Sequence, residues 1–537
     1  MPSKPMMFNL ESAILKHMAE SAPTDASMAR TTGSDKKTEA QAMPTVSGLA
    51  KIAPAPLVVE ENRDRFRAFD DNPMQVTREH PVSTFSVDVD TASYAFVRRL
   101  INSGQKPAPD AVRVEEMINY FDYDYPLPKE RTEPFATSVN LYPSPWNPET
   151  RLMQIGIRGY ELSREKRPQA NLVFLVDVSG SMNAPDRLPL VKQSLAMLVN
   201  HLEAEDLISL AVYAGKSGTV LEPTPVKERS KILAALEQLQ AGGSTAGGEG
   251  IRLAYELAQK NFKSEAVNRV ILATDGDFNV GITDPEALKG FVAEKRKTGV
   301  FLSILGVGRG NYHDRLMQDL AQNGNGVANY VDTLNEARKL LVEEASANLF
   351  PIAKDVKIQV EFNPARVAQY RLIGYETRAL KREDFNNDKV DAGDIGSGHR
   401  VTALYEIVPV GSRGTMIDPL RYGAEAKAEE QAVVDPKAEY AFLKIRYKLP
   451  KEETSKLITR PVTERDAVAR LQDASSEARF ATAVAAFGQK LRGGKYLGDF
   501  DYKAIIDLAN EAKGKDEFGY RAEFVGMVRL MQAMDKP

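Results

Sequence analysis

Two hydrophobic periods divide this chain. Between Asn171 and about Asn348, short apolar runs alternate with segments whose apolar residues recur every three or four positions. The runs NLVFLVD, LISLAVYA (207–214), RVILATD (269–275), VFLSILGV (300–307) and ANYVD (328–332) predict strands buried on both faces. Between them, LPLVKQSLAMLVNHL, SKILAALEQL, GGEGIRLAYELAQKNF, PEALKGFVAEKRK, YHDRLMQDLAQ and LNEARKLLVEEASANL predict amphipathic helices, and GTVLEP (218–223) a short edge strand. This alternation predicts an α/β fold: a doubly wound, mostly parallel sheet with helices on both faces.

On either side the pattern turns to alternation. VSTFSVDVDTASYAFVRRLINSG (82–104) reads as a strand and a helix, and DAVRVEEMINYFDYD (110–124) as a second helix carrying Val112, Met117, Ile118 and Phe121 on one face. Two strands follow around Ser138–Leu141 and Leu152–Ile157, and after Pro351 further strands in DVKIQVEFNP, QYRLIGYE, HRVTALYEIVP and AEYAFLKIRYKLP. β-Segments on both sides of the α/β unit predict one sandwich into which that unit is inserted. From about Val462, apolar stripes predict a helical C-terminal region. Residues 1–75 are rich in Ser, Thr, Ala, Pro, Lys and Glu, a composition that cannot offset chain entropy, so a disordered leader is expected, with a short helix around Leu10–Met18. The expected organisation is thus a leader (1–75), an N-terminal region (76–168), the α/β unit (169–349), a β-rich region (350–450) and a helical region (451–537).

Composition narrows the chemistry. The 537 residues exceed one ordinary core, and 43% hydrophobic with 27% charged residues is the balance of a soluble globular protein. A net charge of −4 gives no reason to expect nucleic acid or an anionic membrane as partner. There is no apolar run long enough to span a bilayer and no signal-peptide core at the N-terminus, so a soluble chain is expected. The absence of cysteine excludes disulfides, a thiol nucleophile, zinc–thiolate sites, iron–sulfur clusters and a lipoprotein anchor. The histidines (His17, His80, His201, His313, His399) are scattered, which disfavours a His-rich metal site or a Ser–His–Asp triad.

What remains is oxygen chemistry. The strand NLVFLVD runs into VSGSM, so Asp177, Ser179 and Ser181 follow the carboxyl end of a strand, where doubly wound sheets bind ligands. One carboxylate and two hydroxyls suit Mg²⁺ or Ca²⁺, not zinc or copper. AGGSTAGGEG (241–250) adds Thr245 in a glycine-rich loop, and ATDGDFNVG (273–281) adds Asp275 at another strand end. Alone, DVSGSM could be a turn capping the next helix; the joint occurrence with Thr245 and Asp275 favours a metal site.

The set DVSGSM, GGST and TDGDFN resembles the complete metal-ion-dependent adhesion site of von Willebrand factor type A domains. The resemblance implies Mg²⁺ (Mn²⁺ and Ca²⁺ being alternatives) held by Ser179 and Ser181 directly, by Thr245 directly or through water, and by Asp177 and Asp275 largely through water. It also implies a protein partner that supplies an Asp or Glu carboxylate to the remaining position. STFSVDVDTASYAFVRRLIN, VRVEEMINYFDYDYP and DFNNDKVDAGDIGSGHRVTALYEIVP further resemble the bacterial YfbK-type proteins over roughly residues 75–537. Those proteins usually begin with an export or lipoprotein signal, which implies the periplasm or cell envelope; this chain departs from them there.

Other motifs carry less. FSVDVDT places Asp88, Asp90 and Thr91 as in dehalogenase-type phosphotransferases, but no parallel sheet follows closely enough, and a turn or cap role is expected. DFNNDKVDAGD has Asp384, Asn386 and Asp388 at calcium-loop spacing, yet Lys389 stands where glycine is needed and Ile395 where glutamate is needed, so it reads as a solvated loop. GVGRGN reads as a turn, His313 as a surface or capping residue, and Trp146 as packing at a domain junction. The function expected is therefore non-enzymatic, Mg²⁺-dependent protein binding. The alternatives are a metal-dependent hydrolase, for which only Asp277 and Glu249 lie near the metal loops, and a scaffold with a vestigial metal site.

Overall fold

The structure, a computed structural model, describes residues 64–535 apart from 129–132, 244–249, 277–283, 311, 419 and 421–438. The described chain opens with β1 (Gln75–Val76), β2 (Val82–Ser86), α1 (Ala92–Asn102), α2 (Val114–Asn119) and the pair β3 (Phe135–Pro143) and β4 (Arg151–Gly159). The α/β unit follows as β5 (Ala170–Asp177), α3 (Leu188–His201), β6 (Leu207–Tyr213), β7 (Ser217–Pro225), α4 (Arg229–Glu237), α5 (Gly250–Lys260) and β8 (Val267–Thr274). It continues through α6 (Pro285–Lys297), β9 (Val300–Gly306), α7 (Asp314–Asn323), β10 (Ala328–Tyr330), α8 (Leu334–Arg338) and α9 (Ala345–Leu349). Then come β11 (Pro351–Phe362), β12 (Val367–Ile373), β13 (Gly393–Gly396), β14 (Arg400–Pro409), β15 (Ala441–Lys448) and β16 (Lys456–Val462). The helices α10 (Ser476–Leu491), α11 (Tyr502–Ala512) and α12 (Tyr520–Met534) close the order.

The α/β unit is built on a six-stranded sheet ordered β10-β9-β8-β5-β6-β7. All neighbours are parallel except β7, which runs antiparallel along the edge of β6. Every residue of β5 and β8 is buried, as continuous apolar runs require. Leu172, Phe174 and Val176 of β5 face α3 and α4, whereas Val173 and Leu175 face α5, α6 and α7. Each such side chain contributes about 1.5–3 kcal/mol on burial. The second face also takes Ala95, Phe96 and Leu100 of α1, so the N-terminal region completes the core of this sheet.

The flanking strands form two sheets, β1-β12-β14-β4-β3 and β13-β11-β15-β16, with β2 beside β11. β4 pairs with β14 and β2 with β11, so segments from both sides of the α/β unit share each sheet, as the sequence predicts for an insertion. Phe85, Leu141, Ile155, Ile358, Tyr405 and Ile445 fill the space between the sheets. The outer face of the first sheet offers Tyr142, Leu152 and Leu404 to α2, α10 and α12.

Several expectations change. Residues 64–75 are not part of a disordered leader: the Phe66 ring lies 4.8 Å from that of Phe96, and Asn72 Nδ2 donates to the Gly374 carbonyl at 2.7 Å. Residues 1–63 lie outside those described. α2 spans only six residues, because Tyr120, Phe121, Tyr123 and Tyr125 beyond it are all buried and need extended chain to reach different walls. The helix read over 334–349 is broken by a π-helical stretch, Lys339–Glu343, where the buried Lys339 ammonium reaches Glu344 and sits 4.5 Å from the Tyr120 ring. The helical tail begins at Ser476, and β1, β13 and β16 were not legible as strands.

One contact joins the two halves tightly. A Cβ at Gly396 would stand 1.7 Å from the Ala347 carbonyl oxygen, so β13 and α9 approach only because the side chain is a hydrogen. Gly396→Ala is expected to destabilise the protein by about 3 kcal/mol, read as a lowered melting temperature by circular dichroism.

Candidate metal centre

The carboxyl ends of β5 and β8 lie side by side at the centre of the sheet, where the strand order reverses. Asp177 ends β5 and is fully buried. Its Oδ1 accepts from the Ser179 N–H at 2.8 Å, and its Oδ2 accepts from the Tyr213 hydroxyl at 3.1 Å and from Thr274 Oγ1 at 3.3 Å. These donors fix the carboxylate. Burial, the larger effect, nevertheless pushes its pKa up to about 6, with the Asp275 charge adding to the rise.

Ser179 is buried in extended conformation, and a short 3₁₀ turn, Gly180–Asn183, then folds Ser181 back so that the two hydroxyl oxygens stand 3.0 Å apart. That is a hydrogen-bond distance. It also matches neighbouring ligands of an octahedral Mg²⁺, which at 2.0–2.1 Å from the ion stand about 2.9 Å apart. Main-chain bonds tie the loops together: Gly242 N–H donates to the Val178 carbonyl at 2.8 Å and Gly180 N–H to Gly243 at 3.2 Å.

Asp275 follows β8 and is fully buried. Arg187, just before α3, donates to Asp275 Oδ2 and to the Ser181 carbonyl, each at 2.7 Å, and to the Arg309 carbonyl at 2.8 Å. Gly308 makes room for it: a Cβ there would meet Arg187 Nε at 2.6 Å. The glycine run read only as a turn therefore also seats an arginine that the sequence did not single out. Asp177, Ser179, Ser181 and Asp275 are thus brought to one edge, and Thr245, with Asp277 and Glu249, lies outside the described residues. The donor set suits a hard divalent cation, with Arg187 sharing the charge of Asp275.

Among the described residues a second acidic group is conspicuous. Ligand oxygens of Asp88, Asp90 and Glu116 lie within 4.8 Å of one another. Guanidinium groups already take them: Arg378 donates twice to Asp88 and once to Asp90, all at 2.9 Å, and Arg113 pairs with Glu116 and with Asp314. The Asp88–Thr91 stretch is therefore a buried clasp of ion pairs between the N-terminal region, the α/β unit and the strands after it. A cap role falls short of this, since Thr91 makes no side-chain cap bond to α1. Arg98 forms a similar knot with Asp332, Glu336 and Glu523. Trp146 is packed at a junction as expected, with its ring Nε1 donating to Glu406 at 3.0 Å and its face near Phe500.

Comparison with known proteins gives consistent matches. The profile of the von Willebrand factor type A domain matches residues 171–343, that described as von Willebrand factor matches 60–154, and that described as uncharacterized protein YfbK, C-terminal, matches 347–534. Uncharacterized protein YfbK of Escherichia coli (strain K12) is 45% identical over 496 residues, covering 91% of this chain and 84% of that protein. Inter-alpha-trypsin inhibitor heavy chain H3 of Homo sapiens is 24% identical over 256 residues, 44% of this chain and 28% of that one. A solved structure described as von Willebrand factor type A from Catenulispora acidiphila aligns with a TM-score of 0.41 at 14% identity, covering 76% of this chain and 91% of that one.

Proposed function

We propose a function from one premise: this chain belongs to the YfbK family of von Willebrand factor type A domain proteins. Its A domain captures a protein partner through a divalent cation, and the protein works by binding, not by catalysis. The observation that best supports this is the convergence of Asp177, Ser179, Ser181 and Asp275 at the switch point of the sheet. Ser179 and Ser181 would hold Mg²⁺ directly, Thr245 directly or through water, and Asp177 and Asp275 chiefly through water. Bound there, the cation supplies a position that seeks one more anionic oxygen.

The protein's own groups prepare that position. The Ser179 N–H and the Tyr213 hydroxyl hold the Asp177 carboxylate in place. Arg187 offsets part of the Asp275 charge, so two carboxylates do not fully neutralise a doubly charged ion. A partner's Asp or Glu side chain is the natural complement. The hydroxyl spacing fits Mg²⁺. A hydrolytic role would need a proton relay beside the ion, for which the sequence offers Asp277 and Glu249, both outside the described residues.

Ser181→Ala removes one direct ligand and is expected to weaken Mg²⁺ binding at least about ten-fold by calorimetry, equal to about 1.4 kcal/mol. Affinity capture from bacterial envelope and cytosol fractions is expected to recover a partner with Mg²⁺ and to lose it with EDTA. Capture insensitive to EDTA would make the protein a metal-independent scaffold. EDTA-sensitive turnover of phosphoesters or peptides would make it a hydrolase.

A further inference from the structure

Toward the other end of the strands, near the starts of β8 and β10, a cavity of about 190 Å³ lies where the α/β unit meets the β2–α1 turn and β13. Arg269 lines it, six residues before Asp275 and so about 20 Å from the metal edge along β8. Arg378, also in the wall, is committed to Asp88 and Asp90.

Arg269 is not committed. It is 3% exposed, its Nη1 donates to Ser303 Oγ at 2.5 Å, and its positive charge lies 5.7 Å from the Phe301 ring. Among the described residues its buried Nε has no acceptor, and no carboxylate stands within ion-pair distance. A void of 20 Å³ on its other side has room for one water, too little for the remaining N–H groups. Burial pulls its pKa down to about 10 against the opposing pull of the Asp394 charge, which leaves it charged at neutral pH. A buried guanidinium with one neutral partner is costly, and its complement is an anion.

The same cavity is lined by Asp394, whose Oδ1 accepts from the Asp355 N–H at 3.2 Å. Asp394 has no ion-pair partner among the described residues; the nearby cations Arg296 and Lys448 are taken by Asp391 and Asp355. Burial first, and Asp355 second, push its pKa up to about 7. Arg269 and Asp394 therefore act on each other's charge across one cavity, yet stand beyond ion-pair contact, so among the described residues neither has a direct partner of opposite charge. A simple anion would satisfy Arg269 and be repelled by Asp394, and a simple amine the reverse. The volume decides the size: a cavity of about 150 Å³ takes benzene, so 190 Å³ takes a molecule of amino-acid size and not a nucleotide.

We propose that this cavity binds a small zwitterion of the α-amino acid class, with its carboxylate on Arg269 and its ammonium group on Asp394. The site is separate from the metal centre and draws on different residues. To test it, the full chain is titrated with the standard L-amino acids one at a time, and with succinate and putrescine as purely anionic and cationic probes, by calorimetry and thermal shift. At least one amino acid is expected to bind more tightly than either control. Arg269→Gln and Asp394→Asn are each expected to weaken it at least about ten-fold while Mg²⁺ affinity is unchanged. A merely structural arginine would lower the melting temperature of the ligand-free protein when replaced; here Arg269→Gln is expected to leave it unchanged or raised. The proposal fails if no amino acid binds, if succinate or putrescine binds best, or if both folded variants bind as the wild type does. Should Arg269→Gln not fold, Asp394→Asn decides alone.

Discussion

Asp177→Ala is expected to reduce Mg²⁺ affinity by about 100-fold or more and to abolish cation-dependent capture of a protein partner. Losing an outer ligand partner already costs 10–100-fold at metal sites. Asp177 also orients the loop that carries both serines, through its bond with the Ser179 N–H. The fold should survive. The Ser179 N–H loses its acceptor, at about 1–3 kcal/mol, and the Tyr213 and Thr274 hydroxyls each lose one bond, but the variant also relieves a fully buried carboxylate. Calorimetry with Mg²⁺ and circular dichroism on the same sample check both halves. Unchanged affinity in a folded variant would remove Asp177 from the site.

Arg378→Met should be among the most destabilising single changes outside the metal edge, at about 3–5 kcal/mol. It strips the shared counter-charge from Asp88 and Asp90 and leaves them beside Glu116. Burial first, and Asp88 second, already hold the Asp90 carboxyl well above the usual carboxylate range. A carboxyl whose folded-state pKa is raised binds its proton more tightly when folded. Its contribution is present at low pH and lost as pH rises through the folded value. Without Arg378 the Asp90 value rises further, so the gap in melting temperature between wild type and variant should be widest near pH 8 and narrow towards pH 5. A gap that does not change with pH would mean that Arg378 acts by packing alone.

How much of this was legible in the sequence depends on where each signal resides. β5, β8 and β9 are continuous apolar runs ending in small or polar residues, and a parallel sheet is the structure that buries them. Asp177, Ser179 and Ser181 could be read because strand, turn and ligands are neighbours in the chain. β16 could not, since KLITRPV mixes exposed and half-buried positions and carries a proline, the composition of an edge strand. The ion-pair clasps were hidden for a different reason. Asp88 and Arg378 lie 290 positions apart, and each alone looks like a solvated charge. Arg269 stands inside RVILATD, where the apolar run draws attention and the one charged residue does not. Arg187 gives no local sign that it reaches Asp275, because its path depends on Gly308 from another loop.

The interleaving of the sandwich strands has a consequence for synthesis. β4 finds its inner neighbour only in β14, with Arg158 opposite Arg400 and Arg151 opposite Ile407, more than two hundred residues later. At 5–20 residues per second, a ribosome needs roughly 10–50 s to supply that partner. Meanwhile the whole α/β unit emerges, its strands joined by short local crossovers. The order of closure on the ribosome is therefore the reverse of the order in the chain. The later insert folds first, and the β3–β4 pair waits beside it with one edge bare until β14 arrives. Stalling translation once residue 349 has emerged should leave a protease-resistant α/β unit attached to a protease-sensitive β3–β4 segment.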